Sequence, residues 1–379
     1  MTREQFLNDL KAALSGMAPE EMEGVIAYYS EMIDDRIEAG MSEEAAVKAM
    51  EPVKEIAGRV LEEAGVAGQK EEPRDKSNWQ EICRPAETVR ELHIQAENKR
   101  VRVTGDEETE QVTLRYCIGP NDVFQLHEDD GVLTLEHKVR PMSSFVNEKS
   151  GEGITLESVL SGVGKLLSSI GDRLVGAGGI FSGDSAENEI EVVVPKAFSG
   201  KLHVGTSNAR VSADDITCAQ PITLTTSNSR VIAENITCAR ELTLTTSNSR
   251  ITLNDVNAAS ARLSTSNGKV ELDDVYIRGE LIAHNSNGSI AAEDTVAEGA
   301  LRLTTSNGSI ALDDTASPDI TLKTSNGTIG GIVKGLREEY TIRSSTSNAS
   351  NQLGNFDGGE KKLSAVTSNA PITLKFGEQ

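Results

Sequence analysis

The sequence predicts a mainly β protein: a parallel β-solenoid of about nine rungs of ~20 residues, preceded by a small all-α N-terminal domain. Three observations carry this. Ser-Asn recurs nine times between residues 207 and 369, at spacings of 19–22 residues. Apolar and polar residues alternate on both sides of each pair, the mark of strands with one buried face. Before residue 65 the apolar spacing is instead three and four residues, the helical period.

Residues 1–64 read as four helices. Thr2 and Gln5 form a capping box ahead of Phe6, Leu7, Leu10 and Leu14, which share one face. Pro19, Glu20 and Glu21 open a second helix, striped by Met22, Val25, Ile26, Tyr29, Met32, Ile33 and Ile37 and stopped at Gly40. Ser42 with Glu43 and Glu44 opens a third, and Pro52 a fourth through Ile56, Val60 and Leu61. Residues 1–72 carry 7 basic and 17 acidic side chains, which excludes a DNA-binding bundle. The stretch resembles the HAAS signalling domain in Phe6, Leu10 and Leu14, in "YYSEMIDDRIEAGMSEEAAV" (28–47) and in "EPVKEIA" (51–57). Met50 departs from the glycine expected before the last helix. The resemblance implies a signalling or docking module that engages a protein partner.

Residues 65–77, "GVAGQKEEPRDKS", read as a polar linker. Residues 78–200 form a β entry or cap region, with strands in "ELHIQAENKRVRVTG", "QVTLRYCIG", "GVLTLEHKV" and "EIEVVVPK". A helical or mobile insertion interrupts it at 148–188, where Leu156, Val159, Leu160, Val163, Leu166, Leu167, Ile170 and Leu174 fall at helical spacing. Glu157, Lys165, Asp172 and Arg173 give that helix no basic face for a membrane surface. "GVGK" (162–165) lacks both the earlier glycine and the following Ser/Thr of a phosphate loop.

Residues 201–379 are the repeats. Counted from each Asn, positions −6 and −4 are apolar (Ile222/Leu224, Leu301/Leu303), as are +3 and +5 (Ile251/Leu253, Ile310/Leu312). Parity flips across Thr-Ser-Asn, so the chain bends there: two short strands per repeat, with a second corner at the acidic pair +6/+7. Asn tolerates the left-handed backbone such a corner requires. Rungs of a parallel stack lie ~4.8 Å apart. Asn208, Asn228, Asn248, Asn267, Asn287, Asn307, Asn326, Asn348 and Asn369 are therefore expected to form a structural amide ladder. The rung "KLSAVTSNAPITLKF" (362–376) is expected to end the stack, with Lys361, Lys362 and Lys375 guarding its edge.

The repeats resemble an adhesin-like family of bacterial β-strand-repeat proteins, whose motif reads like "TTSNGSIALDD" (304–314), over residues 80–379. That family implies repeat architecture without catalytic residues. Its members are often membrane-tethered behind helical modules.

The acidic corner is the candidate metal site, in Asp214, Asp215, Asp273, Asp274, Asp313 and Asp314, because stacked carboxylates repel and calcium relieves this. Against it, Asp and Asn at +7 are turn formers, the GGxGxD repeat is absent, and Arg210, Arg230, Arg250 and Lys269 at +2 compensate the charge. No catalytic residue or cofactor is nominated: aromatics are 3% of the chain, and His93, His127, His137, His203 and His284 are scattered. Cys218 and Cys238 share a repeat position and read as small buried residues rather than a disulfide.

A net charge of −22 argues against nucleic acid and against direct membrane contact. With no ~18-residue apolar run and no CxxC, the expected setting is reduced and cytoplasmic, with membrane association only through a partner. Two function classes follow. One is a non-catalytic, adhesin-like scaffold with a helical signalling or docking module, linked to cell-envelope stress signalling. The other is a sensor whose acidic solenoid face binds a metal ion or small ligand.

Overall fold

The computed structural model describes residues 2–14, 78–140 and 188–377, together with 25–26, 29–30, 33, 42–48, 50, 53–54 and 56–57. The linker at 65–77, the helix signals at Pro19, Gly40 and Pro52, and all but the last residue of the 148–188 insertion lie outside these. The chain divides into two compact units, Met1–Ser77 and Asn78–Gln379.

Among its described residues the first unit is helical wherever it is regular. Thr2 caps the helix Arg3–Ala13: its hydroxyl accepts from the Gln5 amide at 3.2 Å, and its own amide donates to Gln5 Oε1 at 3.0 Å. Ser42 caps Glu43–Lys48 through the Ala45 amide at 3.3 Å. Phe6, Leu10, Leu14, Tyr29, Ile33, Ala46, Val47, Ile56 and Ala57 bury one another in a core of their own. The apolar face read from the sequence is thus the face that packs.

The second unit is a stack of three-sided rungs. On the first face, strands such as Leu281–Asn285 and Ala300–Thr304 lie parallel and in register, Leu281 against Leu301 and Ala283 against Leu303. On the second face Ile251 meets Val270, and Leu253 meets Leu272. The third face corrects the two-strand reading. After the +7 corner a further short strand forms, with Cys218 on Cys238 and Val256 on Val275. Its signal was a third apolar pair at +8 and +10 (Ile216/Cys218, Val256/Ala258, Val275/Ile277), all buried. Identical positions stack, so the core is a set of aliphatic columns with almost no aromatic content.

Both ends depart from chain order. At the start, Glu91–Ala96 and Arg100–Asp106 make an extra rung that lacks Thr-Ser-Asn. Outboard of it lie Val132–Val139 on the first face and Glu189–Pro195 on the second. Antiparallel strands Asp122–Asp129 and Gln111–Cys117 then cover these, and Trp79–Pro85 covers the latter. An Asp130-Gly131 turn, with φ of 44° and 76°, closes the 122–139 hairpin.

At the other end, Lys361–Val366 pairs with Asp319–Lys323 on one side and Tyr340–Ser345 on the other. Ile372–Gly377 pairs with Ile329–Lys334. The Asn369 rung is therefore interior, and the earlier Asn348 rung is outermost, which corrects the expected end of the stack. Ser350–Gln352 bonds Ile372 through backbone contacts of 3.0 and 2.9 Å.

Candidate functional site

The Ser-Asn corner forms one exposed spine. Each Asn Nδ2 donates to the Oδ1 of the preceding rung: Asn228 to Asn208 at 2.5 Å, Asn248 to Asn228 at 2.6 Å, Asn267 to Asn248 at 2.7 Å and Asn287 to Asn267 at 2.7 Å. Asn307 and Asn326 continue it at 2.7 and 2.6 Å. Asn369, not Asn348, then donates to Asn326 at 2.7 Å, and Asn348 donates to Asn369 at 2.6 Å. Asn208 donates to Asn98 at 2.6 Å, a tenth amide, from the rung whose corner reads Glu97-Asn98-Lys99. The Ser and Asn amides also share one carbonyl of the neighbouring rung, as Ser247 and Asn248 do with Ser227 at 3.0 and 3.1 Å.

The Thr before the pair turns inward and is buried in every interior rung that has one, and is half-buried at Thr346 in the outermost rung. Its hydroxyl donates to a backbone carbonyl of an adjacent rung: Thr246 to Ser229 at 2.9 Å, Thr305 to Gly288 at 3.0 Å and Thr324 to Gly308 at 2.9 Å. It also accepts an amide of its own turn, as from Gly308 to Thr305 at 3.2 Å. Asn285, the one exception, keeps both bonds. Its Nδ2 donates to the Gly268 carbonyl at 2.6 Å and its Oδ1 accepts from Asn287 and Gly288 at 3.1 and 3.0 Å. The residue after Asn must be small because the rungs nearly touch there. A Cβ on Gly308 would stand 1.9 Å from the Gly288 carbonyl oxygen.

The left-handed backbone sits at the other corner. Asp215, Asn235, Asp255, Asp274, Asp294 and Asp314, all at +7, have φ between 41° and 57°, whereas among the Ser-Asn rungs no ladder Asn has positive φ. The sequence placed that conformation at the wrong corner. Amide stacking and turn hydrogen bonds hold the Asn corner without it, and Asp or Asn at +7 carries the strained angle.

Of the candidate acidic residues, Asp214, Asp273 and Asp313 lie at +6, while Asp215, Asp274 and Asp314 make the turn. Asp214 accepts from Asn235 Nδ2 at 3.2 Å, and Asp314 is ion-paired to Lys334 at 2.5 Å. An open groove of about 540 Å3 runs past Asn254, Asp273, Asp274, Asp294, Asp314 and Lys334. Among the described residues no three His, Cys, Asp or Glu side chains converge as a metal set.

At +2 a basic row crosses five successive strands: Arg100, Arg210, Arg230, Arg250 and Lys269, linked by backbone bonds such as Val101 to Arg210 at 3.0 Å and Val211 to Arg230 at 3.1 Å. Arg250 and Lys269 share Glu271, at 3.0 and 2.6 Å, and Arg100 reaches Glu189 at 3.5 Å.

Two histidine groups come together that spacing did not show. His93 and His203 stack on adjacent rungs, centroids 5.2 Å apart and planes 6° apart, because both stand five before a ladder Asn. The hydrogen bond from His93 at 2.7 Å holds the Glu91 carboxyl below its ordinary range, against the opposing effect of burial. In the cap, buried His137 accepts the Glu97 amide on Nδ1 at 3.3 Å, which leaves Nε2 to donate to Asp122 at 3.0 Å. Asp122 also holds buried Lys99 at 2.8 Å and accepts the Gly119 amide at 2.9 Å. Burial pushes the His137 imidazole below its usual pKa, outweighing Asp122. Cys218 and Cys238 are buried free thiols, and burial raises Cys218 to about 11.

Residues 89–369 match the Toastrack DUF4097 family. The chain belongs to that family. In front of the Toastrack repeat, residues 5–59 match the HAAS domain. A crystal structure of a proposed cell adhesion protein from Clostridium sporogenes ATCC 15579 aligns with 79% of this chain and 99% of that one, at 10% identity. Its TM-score of 0.23 is too low to carry an argument. No curated protein matches the Toastrack chain. Among the described residues no helix is long and apolar enough to cross a membrane.

Proposed function

We propose that this Toastrack protein is a non-catalytic scaffold of cell-envelope signalling, in which the HAAS unit docks a protein partner and the solenoid acts as a stiff repeat body. The observation that supports it most is the division of labour. The helical unit has its own buried core, and the solenoid's most regular polar groups, the Asn and Thr columns, bind one rung to the next. A tagged 1–64 fragment, shown to be helical by circular dichroism, should capture the same partner as the full chain, and a 78–379 fragment should lose it. Capture by 78–379 alone would overturn the docking role.

The sensor reading has less support at the acidic corner. The +7 carboxylates are turn formers and Lys334 already neutralises Asp314. Calcium-dependent thermal stability of the full chain would revive it.

A further inference from the structure

On the second face, over the first rungs, lies a groove of about 300 Å3 lined by Arg100, Arg102, Arg210, Glu189, Asp214 and Glu234. It holds three arginines and three carboxylates, so what sets it apart is how they pair rather than their number. Glu189 is engaged by Arg100 at 3.5 Å. Glu191, level with Arg102 in the register, is taken by Arg115 at 3.5 Å. Among the described residues neither Arg102 nor Arg210 has an ion-pair or hydrogen-bond partner for its guanidinium. Three arginines thus line one groove on two neighbouring strands ~4.8 Å apart, and two of them have no carboxylate of their own. On a chain of net charge −22 a carboxylate partner is the easiest thing to supply, yet here two cations are without one.

We propose that this groove binds a small ligand through one oxyanion, a carboxylate or a phosphate monoester, held between Arg102 and Arg210 with Arg100 behind. The planar fork of each arginine suits the paired oxygens of either group. A long polyanion does not fit, because the rest of the chain repels it. Arg102 is level with Ser212, two residues from Asp214, so the acidic end begins ~7 Å further along the strand. That end suits an ammonium or hydroxyl group of the same ligand. The proposal stands independently of the docking role of the helical unit.

Isothermal titration of the full chain at low ionic strength, with inorganic phosphate and separately with glutamate, tests it. Saturable binding of either probe is expected, phosphate alone identifying a phosphate ligand and glutamate a carboxylate. Arg210→Ser and Arg102→Ser should each weaken binding at least tenfold. Arg102 is exposed, so its variant keeps the test open if Arg210→Ser fails to fold. Arg262→Ser, on the first face beside Glu241 at 3.5 Å, should bind as wild type. The proposal is overturned if neither probe binds, if Arg102→Ser binds as tightly as wild type, or if Arg262→Ser loses affinity equally.

Discussion

Asn369 is later in the chain than Asn348, and the two make opposite predictions for a substitution that removes the amide. In the stack Asn369 donates to Asn326 and accepts from Asn348, so Asn369→Ala removes two bonds. Asn348→Ala removes one. The spine is exposed, so water can satisfy the groups left behind, and each bond belongs at the low end of the usual range, about 0.5 kcal/mol. The expected losses are then about 1 kcal/mol for Asn369→Ala and for the central Asn248→Ala, and about half that for Asn348→Ala. Urea denaturation of the full chain followed by circular dichroism supplies the comparison, provided the slopes agree. If Asn348→Ala costs as much as Asn369→Ala, or more, the reversed order of the last two rungs is wrong.

Four further outcomes follow from the same contacts. Asn285→Thr should be nearly neutral, whereas Asn285→Leu strands the Gly268 carbonyl and the Asn287 and Gly288 amides, lowering stability by about 1–3 kcal/mol in the same denaturation assay. Gly308→Ala, forced against the Gly288 carbonyl oxygen, should cost about 1–3 kcal/mol, while Ala349→Gly in the outermost rung should change the midpoint little. His137 has a folded pKa below its ordinary 6.5, so its contribution is complete above that value and is lost as pH falls through the folded pKa. Denaturation midpoints should drop as pH falls below about 6.5, and His137→Asn should flatten that drop, with His203, lowered by desolvation and by the neighbouring His93, contributing in the same direction. A thiol reagent should modify exposed Cys83 in the native protein and reach Cys117, Cys218 and Cys238 only on unfolding.

The period made the solenoid legible because every rung repeats the same local requirements. The first rung escaped notice because its corner is Glu97-Asn98-Lys99, although "RVRV" (100–103) repeats the pattern that follows each ladder Asn. The third strand escaped because it is short and its last members turn polar. Thr295, Thr315 and Ser317 stand where earlier rungs bury aliphatic residues, and each donates a hydrogen bond to a carbonyl: Glu293 at 2.9 Å, Ala292 at 3.0 Å and Gly299 at 2.9 Å. Rung order could not be read from the corners, since equivalent corners accept any neighbour. The spacings of 22 and 21 that precede Asn348 and Asn369, against 19 or 20 earlier, were the faint trace of the excursion. The +2 arginines were visible in sequence, but the lack of a carboxylate for Arg102 and Arg210 depends on Glu189 and Glu191, which arrive from a distant strand.

The interior position of the last rung also has a mechanical consequence. A solenoid pulled from an outermost rung unzips, losing one pairing at a time. Here, tension applied at Gly377 acts on a layer clamped on both sides: Lys361–Val366 lies between Asp319–Lys323 and Tyr340–Ser345. Ile372–Gly377 is bound to Ile329–Lys334, with Ser350–Gln352 against Ile372. Ile372–Gly377 can peel from its one partner strand as far as Ile372, but beyond that point Lys361–Val366 can leave only by sliding against two neighbours at once, so the load there falls on many hydrogen bonds in shear, and the far end of the stack behaves as a bolt.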